Sequence, residues 1–116
     1  MSDLKERTKR FALDVVRHCE TYPNKPAFLI LTRQLMRAAT SVGANYRAAC
    51  RAKSKADFVS KISTVEEEAD ESAFWLEMLD DLHGRKDAKR ERLTDEACQL
   101  VAIMVKSRKT ARGNNR

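Results

Sequence analysis

The sequence predicts an all-α protein, a single antiparallel up-and-down four-helix bundle, and three observations carry that expectation. Only 3 Gly and 2 Pro occur in 116 residues, too few for the tight turns of a many-stranded sheet, while 15 alanines favour helix. Apolar residues recur at helical spacing in four stretches separated by short, punctuated breaks. Helices of this kind bury their apolar stripes most economically against sequence neighbours of alternating direction. The chain length supports one domain with a modest core, expected over residues 1–111, with residues 112–116 as a frayed basic tail.

The first helix is expected from about Asp3 to Thr21, with Leu4, Phe11, Val15 and Cys19 on one face, and the Pro23-Asn-Lys-Pro26 run ends it. Pro26 suits the first turn of a second helix reaching about Lys53. Its apolar face is Phe28, Leu31, Leu35, Ala38, Val42, Tyr46 and Ala49. Gly43 weakens the middle of that helix by about 1 kcal/mol relative to Ala, so a packing reason or a bend is expected there. Ser54, with Asp57 three residues on, reads as the N-cap of a third helix. That helix keeps Phe58, Ile62, Val65, Ala69, Leu76 and Leu79 on one side and stops at His83-Gly84. The fourth begins between Asp87 and Thr94 and runs to about Thr110, with Ala97, Val101, Met104 and Val105 toward the core.

The net charge of +6 conceals a strong pattern. Residues 26–56 carry +6 with no acidic side chain, residues 57–83 carry −8, and residues 84–116 return +6. On a wheel of about 100° per residue, Arg37, Arg47, Arg51 and Lys55 all fall within about 40° of Arg33, opposite the apolar face of the second helix. This requires the helix to continue through Gly43 and, for Lys55, past Ser54. A row of five like charges repels itself, which favours a polyanion or an acidic protein surface as partner; an ordinary solvated face is the competing reading. Aromatic residues for base stacking are missing from the stripe, so any nucleic-acid contact is expected through phosphates.

The second half of the third helix is apolar on more than one side, because Phe74, Trp75, Met78 and Leu82 lie outside its core stripe. Either that helix is buried between neighbours of its own bundle or those four residues form a self-association surface. In the latter case the basic second helix and acidic third helix are expected to meet across subunits.

Catalytic and metal-binding patterns are not apparent. The Glu66-Glu67-Glu68-Ala-Asp70-Glu71 run has only Asp80-x-x-His83 as an analogue of the Glu-x-x-His pairs of a di-iron bundle. His18 and His83 lack a Cys or Ser partner at a recognisable spacing, and neither is preceded by the arginine found in some helical RNA-cleaving domains. No Gly-rich phosphate loop is present. A non-enzymatic protein without metal or cofactor is expected. Cys19, Cys50 and Cys98 are widely spaced and odd in number, and the charged start has no apolar leader segment, so reduced thiols and a cytoplasmic location are expected. No apolar run approaches the roughly 18 residues of a membrane span.

The stretch from Arg33 to Phe58, with Ser41-Val-Gly-Ala-Asn-Tyr46 at its centre, and the later Glu68-Ala-Asp-Glu-Ser-Ala-Phe-Trp-Leu-Glu77 resemble the bacterial four-helix bundle family encoded in intervening sequences of 23S ribosomal RNA genes. Leu4 to Leu13 and Leu100 to Ala111 are similar to that family's first and last helices. The resemblance implies a barrel-like homopentamer, related to the accessory protein of diversity-generating retroelements, which is thought to bind nucleic acid and a reverse transcriptase through a basic surface. It implies no enzymatic activity. The family's basic positions fall on Arg33, Arg37, Arg47 and Arg51, while Ala48 stands where many relatives carry Glu.

The resulting expectation is a homo-oligomeric accessory protein that binds the RNA or DNA backbone through Arg33, Arg37, Arg47, Arg51, Lys55, Lys106, Arg108 and Lys109. A reverse transcriptase or another acidic protein is a further expected partner. The alternative is a structural self-assembly or protein-interaction module whose charges serve subunit contacts. An RNA-processing enzyme is a third reading, supported only by the family's genomic association.

Overall fold

The computed structural model describes residues 3–113. Four helices occupy them: α1 (Leu4–Cys19), α2 (Pro26–Ala49), α3 (Lys55–His83) and α4 (Ala88–Gly113), with no strand among the described residues. Each boundary has a local cause. Asp3 Oδ1 accepts the Lys5 and Glu6 backbone N–H groups at 3.1 and 3.3 Å, capping α1. That helix stops at Cys19, two residues earlier than expected, in a turn closed by Thr21 N–H donating to His18 C=O at 3.0 Å. Gly84 ends α3 in the left-handed region at φ 69°, its N–H donating to Asp80 C=O at 3.0 Å. Asp87 Oδ1 accepts from the Lys89 and Arg90 N–H groups at 3.0 and 3.1 Å to open α4.

One boundary changes the reading of the basic stripe. The second helix ends at Ala49, not near Lys53. Ser54 caps α3 from an extended backbone, φ −157° and ψ 168°, which a continuing helix cannot adopt. The chain therefore leaves α2 through Arg51 and Ala52 N–H groups donating to Ala48 and Ala49 carbonyls at 3.0 and 3.1 Å. Asp57 reaches back to Lys53 N–H at 3.1 Å while its own N–H donates to Ser54 Oγ at 3.0 Å, a reciprocal lock on the turn. At the other extreme α4 continues through Arg112 and Gly113, past the expected stop at Thr110. Of the expected frayed tail, residues 114–116 lie outside the described residues.

Each helix packs on two neighbours: α1 on α2 and α4, and α3 on α2 and α4, with no approach across the diagonals among the described residues. All adjacent pairs run antiparallel. Gly43 of α2 lies against Thr8 and Lys9 of α1, and Cys19 Sγ lies 3.9 Å from Thr32 C=O. Between α3 and α4, Asp80 holds Arg90 near one end and Glu66 holds Arg108 toward the other. The result is a rod of 51 × 22 × 20 Å.

The core follows the periodicity: Phe11, Val15, Leu31, Leu35, Val42, Ile62, Val65, Leu76, Leu79, Leu93, Leu100 and Met104 are buried. Side chains of this size contribute about 1.5–3 kcal/mol each when removed from water. Val101 and Val105, expected in the core, are only partly buried, and Leu93 and Leu100 take the inward positions of α4. Gly43 has the packing reason anticipated for it. A Cβ there would sit 3.4 Å from Thr8 C=O and 3.7 Å from Lys9 Cα, so its absence lets the α1 and α2 backbones approach closely.

Candidate nucleic-acid interface and self-association face

The sequence reading placed five cations on one continuous helical face; the structure divides them. Arg33, Arg37 and Arg47 are on α2 and exposed, but Arg51 lies in the turn after it and Lys55 opens α3. Arg37 is also committed within the chain. Its Nη1 donates to Glu68 Oε1 at 3.3 Å and its Nη2 to Glu71, both on α3. That hydrogen bond holds the Glu71 carboxyl below its usual range and pushes the Arg37 guanidinium up, whereas burial and the contact with Glu71 push Glu68 up. Arg108 similarly donates to Glu66 at 3.0 Å. The basic and acidic helices thus meet inside one subunit at these positions, because antiparallel packing puts the α2 row beside the first acidic turns of α3.

The bundle creates a different basic feature. The α2–α3 turn and the close of α4 meet at one end of the rod, with Arg112 beside Lys55, Ala56 and Val59, while the start of α1 stops short of that end, where Arg7 meets Glu96 and Gln99 in the middle of α4. Residues 47–61 and 106–113, which form this end, hold nine Lys and Arg against one Asp. Arg7 pairs with Glu96, Lys61 with Asp57 and Arg108 with Glu66. Arg47, Arg51, Lys53, Lys55, Lys106, Lys109 and Arg112 pair with no carboxylate among the described residues, and all seven are exposed. Of the predicted site residues, the structure gathers Arg47, Arg51, Lys55, Lys106, Arg108 and Lys109 here. Arg33 and Arg37 lie apart from them, further along α2. Sequence reasoning did not include Lys53, because only the α2–α3 turn makes it a neighbour of the others.

Lys5, Lys9 and Arg47 also rim a groove of about 390 Å³ between α1 and α2, floored by Ala12, Thr40, Gly43 and Ala44, with Glu6 as the acidic member of the lining. Toward the opposite end, Phe74, Met78 and Leu82 stand 48, 38 and 45% exposed along α3, and Ile30 of α2 is 61% exposed beside Met78 and Leu82. Trp75, predicted with them, instead turns partly inward against the core, and its buried Nε1 has no hydrogen-bond acceptor among the described residues. The predicted surface is therefore a row of three, with Ile30 as a neighbour from α2.

The loop end of the bundle buries a polar cluster that the sequence did not indicate. Arg90 is 1% exposed, its Nε and Nη2 donating to Asp80 Oδ1 at 2.9 and 2.7 Å and its Nη1 to Tyr22 Oη at 2.9 Å; Nη2 also reaches Arg85 C=O. Tyr22 Oη lies 2.7 Å from Nε2 of His18, itself 3% exposed, and Tyr22 stacks on Phe28. Burial holds the His18 imidazole below its ordinary pKa, and burial pushes the Tyr22 phenol up. Every Arg90 nitrogen has an acceptor, so the cluster stitches the α1–α2 loop to α3 and α4. Among the described residues no three His, Cys, Asp or Glu side chains converge as a metal site, and no helix is long and apolar enough to cross a membrane.

These features define a four-helix bundle with one basic end and an exposed apolar row. Residues 2–106 match the family model described as 23S rRNA-intervening sequence protein, and the chain belongs to that family. A solved structure from Bacteroides thetaiotaomicron VPI-5482, described as a protein with unknown function from the S23 ribosomal protein family, is similar at 27% identity and a TM-score of 0.84. The match covers 92% of this chain and 99% of that chain. The comparison with curated proteins finds no match. The stretches that carry the resemblance serve packing here: Gly43 seats α1, Asn45 Nδ2 donates to Ser41 C=O at 2.9 Å, and Glu68 and Glu71 hold Arg37.

Proposed function

We propose that this protein is a non-enzymatic, homo-oligomeric accessory protein that binds the RNA or DNA backbone through the basic end of its bundle. The observation that carries the reading is the set of seven exposed Lys and Arg at that end without a carboxylate partner among the described residues. Cations spread over three elements track phosphates by charge and distance, which gives affinity without base readout. The contacts are assigned to Arg47, Arg51, Lys53, Lys55, Lys106, Lys109 and Arg112, with Arg33 secondary and Arg37 held by Glu68 and Glu71. Family membership is consistent with a barrel-like homopentamer, with a reverse transcriptase or another acidic protein as partner, and with a cytoplasmic location.

The competing reading is a structural module whose surfaces serve self-assembly or protein interaction alone, favoured by the exposed Phe74, Met78 and Leu82 row. Anisotropy of a labelled RNA or DNA oligonucleotide separates the two. Counterion release predicts an affinity loss of about 10³-fold between about 50 and 200 mM salt if about six phosphates are contacted. Changing Arg51, Lys55, Lys109 and Arg112 together to Glu is expected to abolish binding while the oligomer persists. Binding that is insensitive to salt and to those four changes sinks the nucleic-acid reading. Metal-independent cleavage of RNA by the pure protein would overturn the non-enzymatic assignment.

A further inference from the structure

We propose that the Phe74, Met78 and Leu82 row of one copy seats in the α1/α2 groove of a second copy, a head-to-tail contact in which each subunit offers a ridge on one side and a groove on another. The inference rests on the self-association reading and names the two surfaces that mate. Phe74, Met78 and Leu82 recur every four residues, so they form one row along α3. Their exposures of 48, 38 and 45% leave large apolar side chains in water on a chain with little else to cover them. The groove has the complementary shape. Ala12, Gly43 and Ala44 give it a shallow floor of small residues about 390 Å³ in volume, because Gly43 brings the two helices together. Large side chains on one helix packing into the groove between small ones on others is the ordinary geometry of helix association.

Charge selects the partner and the polarity. Glu77 and Asp81 flank the row, both exposed and both without a cation partner among the described residues. Lys5, Lys9 and Arg47 flank the groove, against which Glu6 is the acidic exception. Packing ridge on ridge would set Glu77 and Asp81 of two copies against each other, whereas ridge on groove sets carboxylates against ammonium groups. The two patches are distinct parts of the molecule, so the contact is heterologous: each added subunit leaves a groove and a ridge for the next until the assembly closes. Arg51, Lys53, Lys55, Lys109 and Arg112 do not line the groove and stay available to a polyanion.

Charge reversal tests this on the full chain, read by sedimentation velocity at low micromolar concentration with helicity checked by circular dichroism. K5E/K9E inverts the groove rim and E77K/D81K inverts the ridge rim; each alone is expected to sediment as a monomer. Mixed in equal amounts they are expected to re-form a larger complex, since the acidic groove accepts the basic ridge and the basic groove the acidic one. Persistence of the oligomer in either single variant overturns the pairing. A monomeric wild-type protein overturns self-association itself, a separate failure. As a second readout that leaves the charges intact, Ala44→Cys and Met78→Cys are placed in separate copies with Cys50 and Cys98 changed to Ser. Oxidation of the mixture is expected to give a covalent heterodimer, and its absence while the oligomer persists also overturns the pairing.

Discussion

Arg37 on α2 reaches across to Glu71 on α3, Nη2 donating to Oε2, while its Nη1 approaches Glu68 Oε1 at 3.3 Å. This cross-helix fork removes Arg37 from the pool of cations that face an external partner. Its side chain is 48% exposed, so the pair acts in a water-rich setting. Arg37→Ala is expected to lower stability in urea denaturation by only about 0.5 kcal/mol. The difference should shrink as salt rises, and oligonucleotide affinity should stay within about twofold of wild type. A tenfold loss of affinity would return Arg37 to the interface.

Arg90 responds in the opposite way because it is buried and fully hydrogen-bonded. Arg90→Ala leaves the Tyr22 hydroxyl without its donor and empties the buried space of the guanidinium, while the 56% exposed Asp80 carboxylate returns to water, and it is expected to cost about 1–3 kcal/mol in the same denaturation experiment. Arg90→Lys is expected to recover little, since an ammonium group cannot reproduce the fork on Asp80.

The pH dependence of stability is expected to carry a His18 component. Burial lowers the folded pKa of His18 below its ordinary 6.5, so the unfolded chain binds more protons just below that pH. The contribution is complete above pH 6.5 and is lost progressively as pH falls from there toward the folded pKa. Asp87 opposes the shift, whereas Arg90, Lys89 and His83 reinforce it. Thermal melts across pH 7 to 5 should show the decline, and His18→Asn should flatten that part of the curve.

Gly43 separates helix propensity from packing. Gly43→Ala gains about 1 kcal/mol of propensity and brings its new methyl 3.4 Å from Thr8 C=O, a contact that needs only a small shift of α1. Its melting temperature is expected to remain close to wild type. Gly43→Leu is expected to lose about 1–3 kcal/mol by forcing α1 away from α2.

The thiols should divide by exposure. Burial pushes the Cys19 thiol up to about 12, while Cys50 and Cys98 are exposed. A maleimide reagent on the native protein is expected to add two labels by intact mass, and a third only after denaturation.

Much of the fold was legible because caps and apolar spacing are properties of adjacent residues. Asp3, Ser54, Asp57 and Gly84 act where their local chemistry places them, and Phe11, Leu35, Ile62 and Met104 are buried as their spacing requires. The family resemblance was likewise carried by contiguous stretches, and the family match covers nearly the whole chain. The stop of α2 at Ala49 was less visible, since Cys50 to Lys53 contains no Gly or Pro and the extended Ser54 cap decides it from the far side.

By itself, then, the sequence determined the four helices, their core faces, the acid-free run of 26–56 and the family. Tertiary structure decided which charges remain available. Packing α2 against α3 satisfied Arg37 internally, packing α1 on α2 set Lys5 and Lys9 beside Arg47, packing the close of α4 on the start of α3 set Arg112 beside Lys55, and closing the loops buried Arg90 and His18. The physical reason is distance: a cap acts over three or four residues of chain, whereas a charge is compensated, buried or left exposed by neighbours up to 89 residues away in the sequence, as Arg7 is by Glu96.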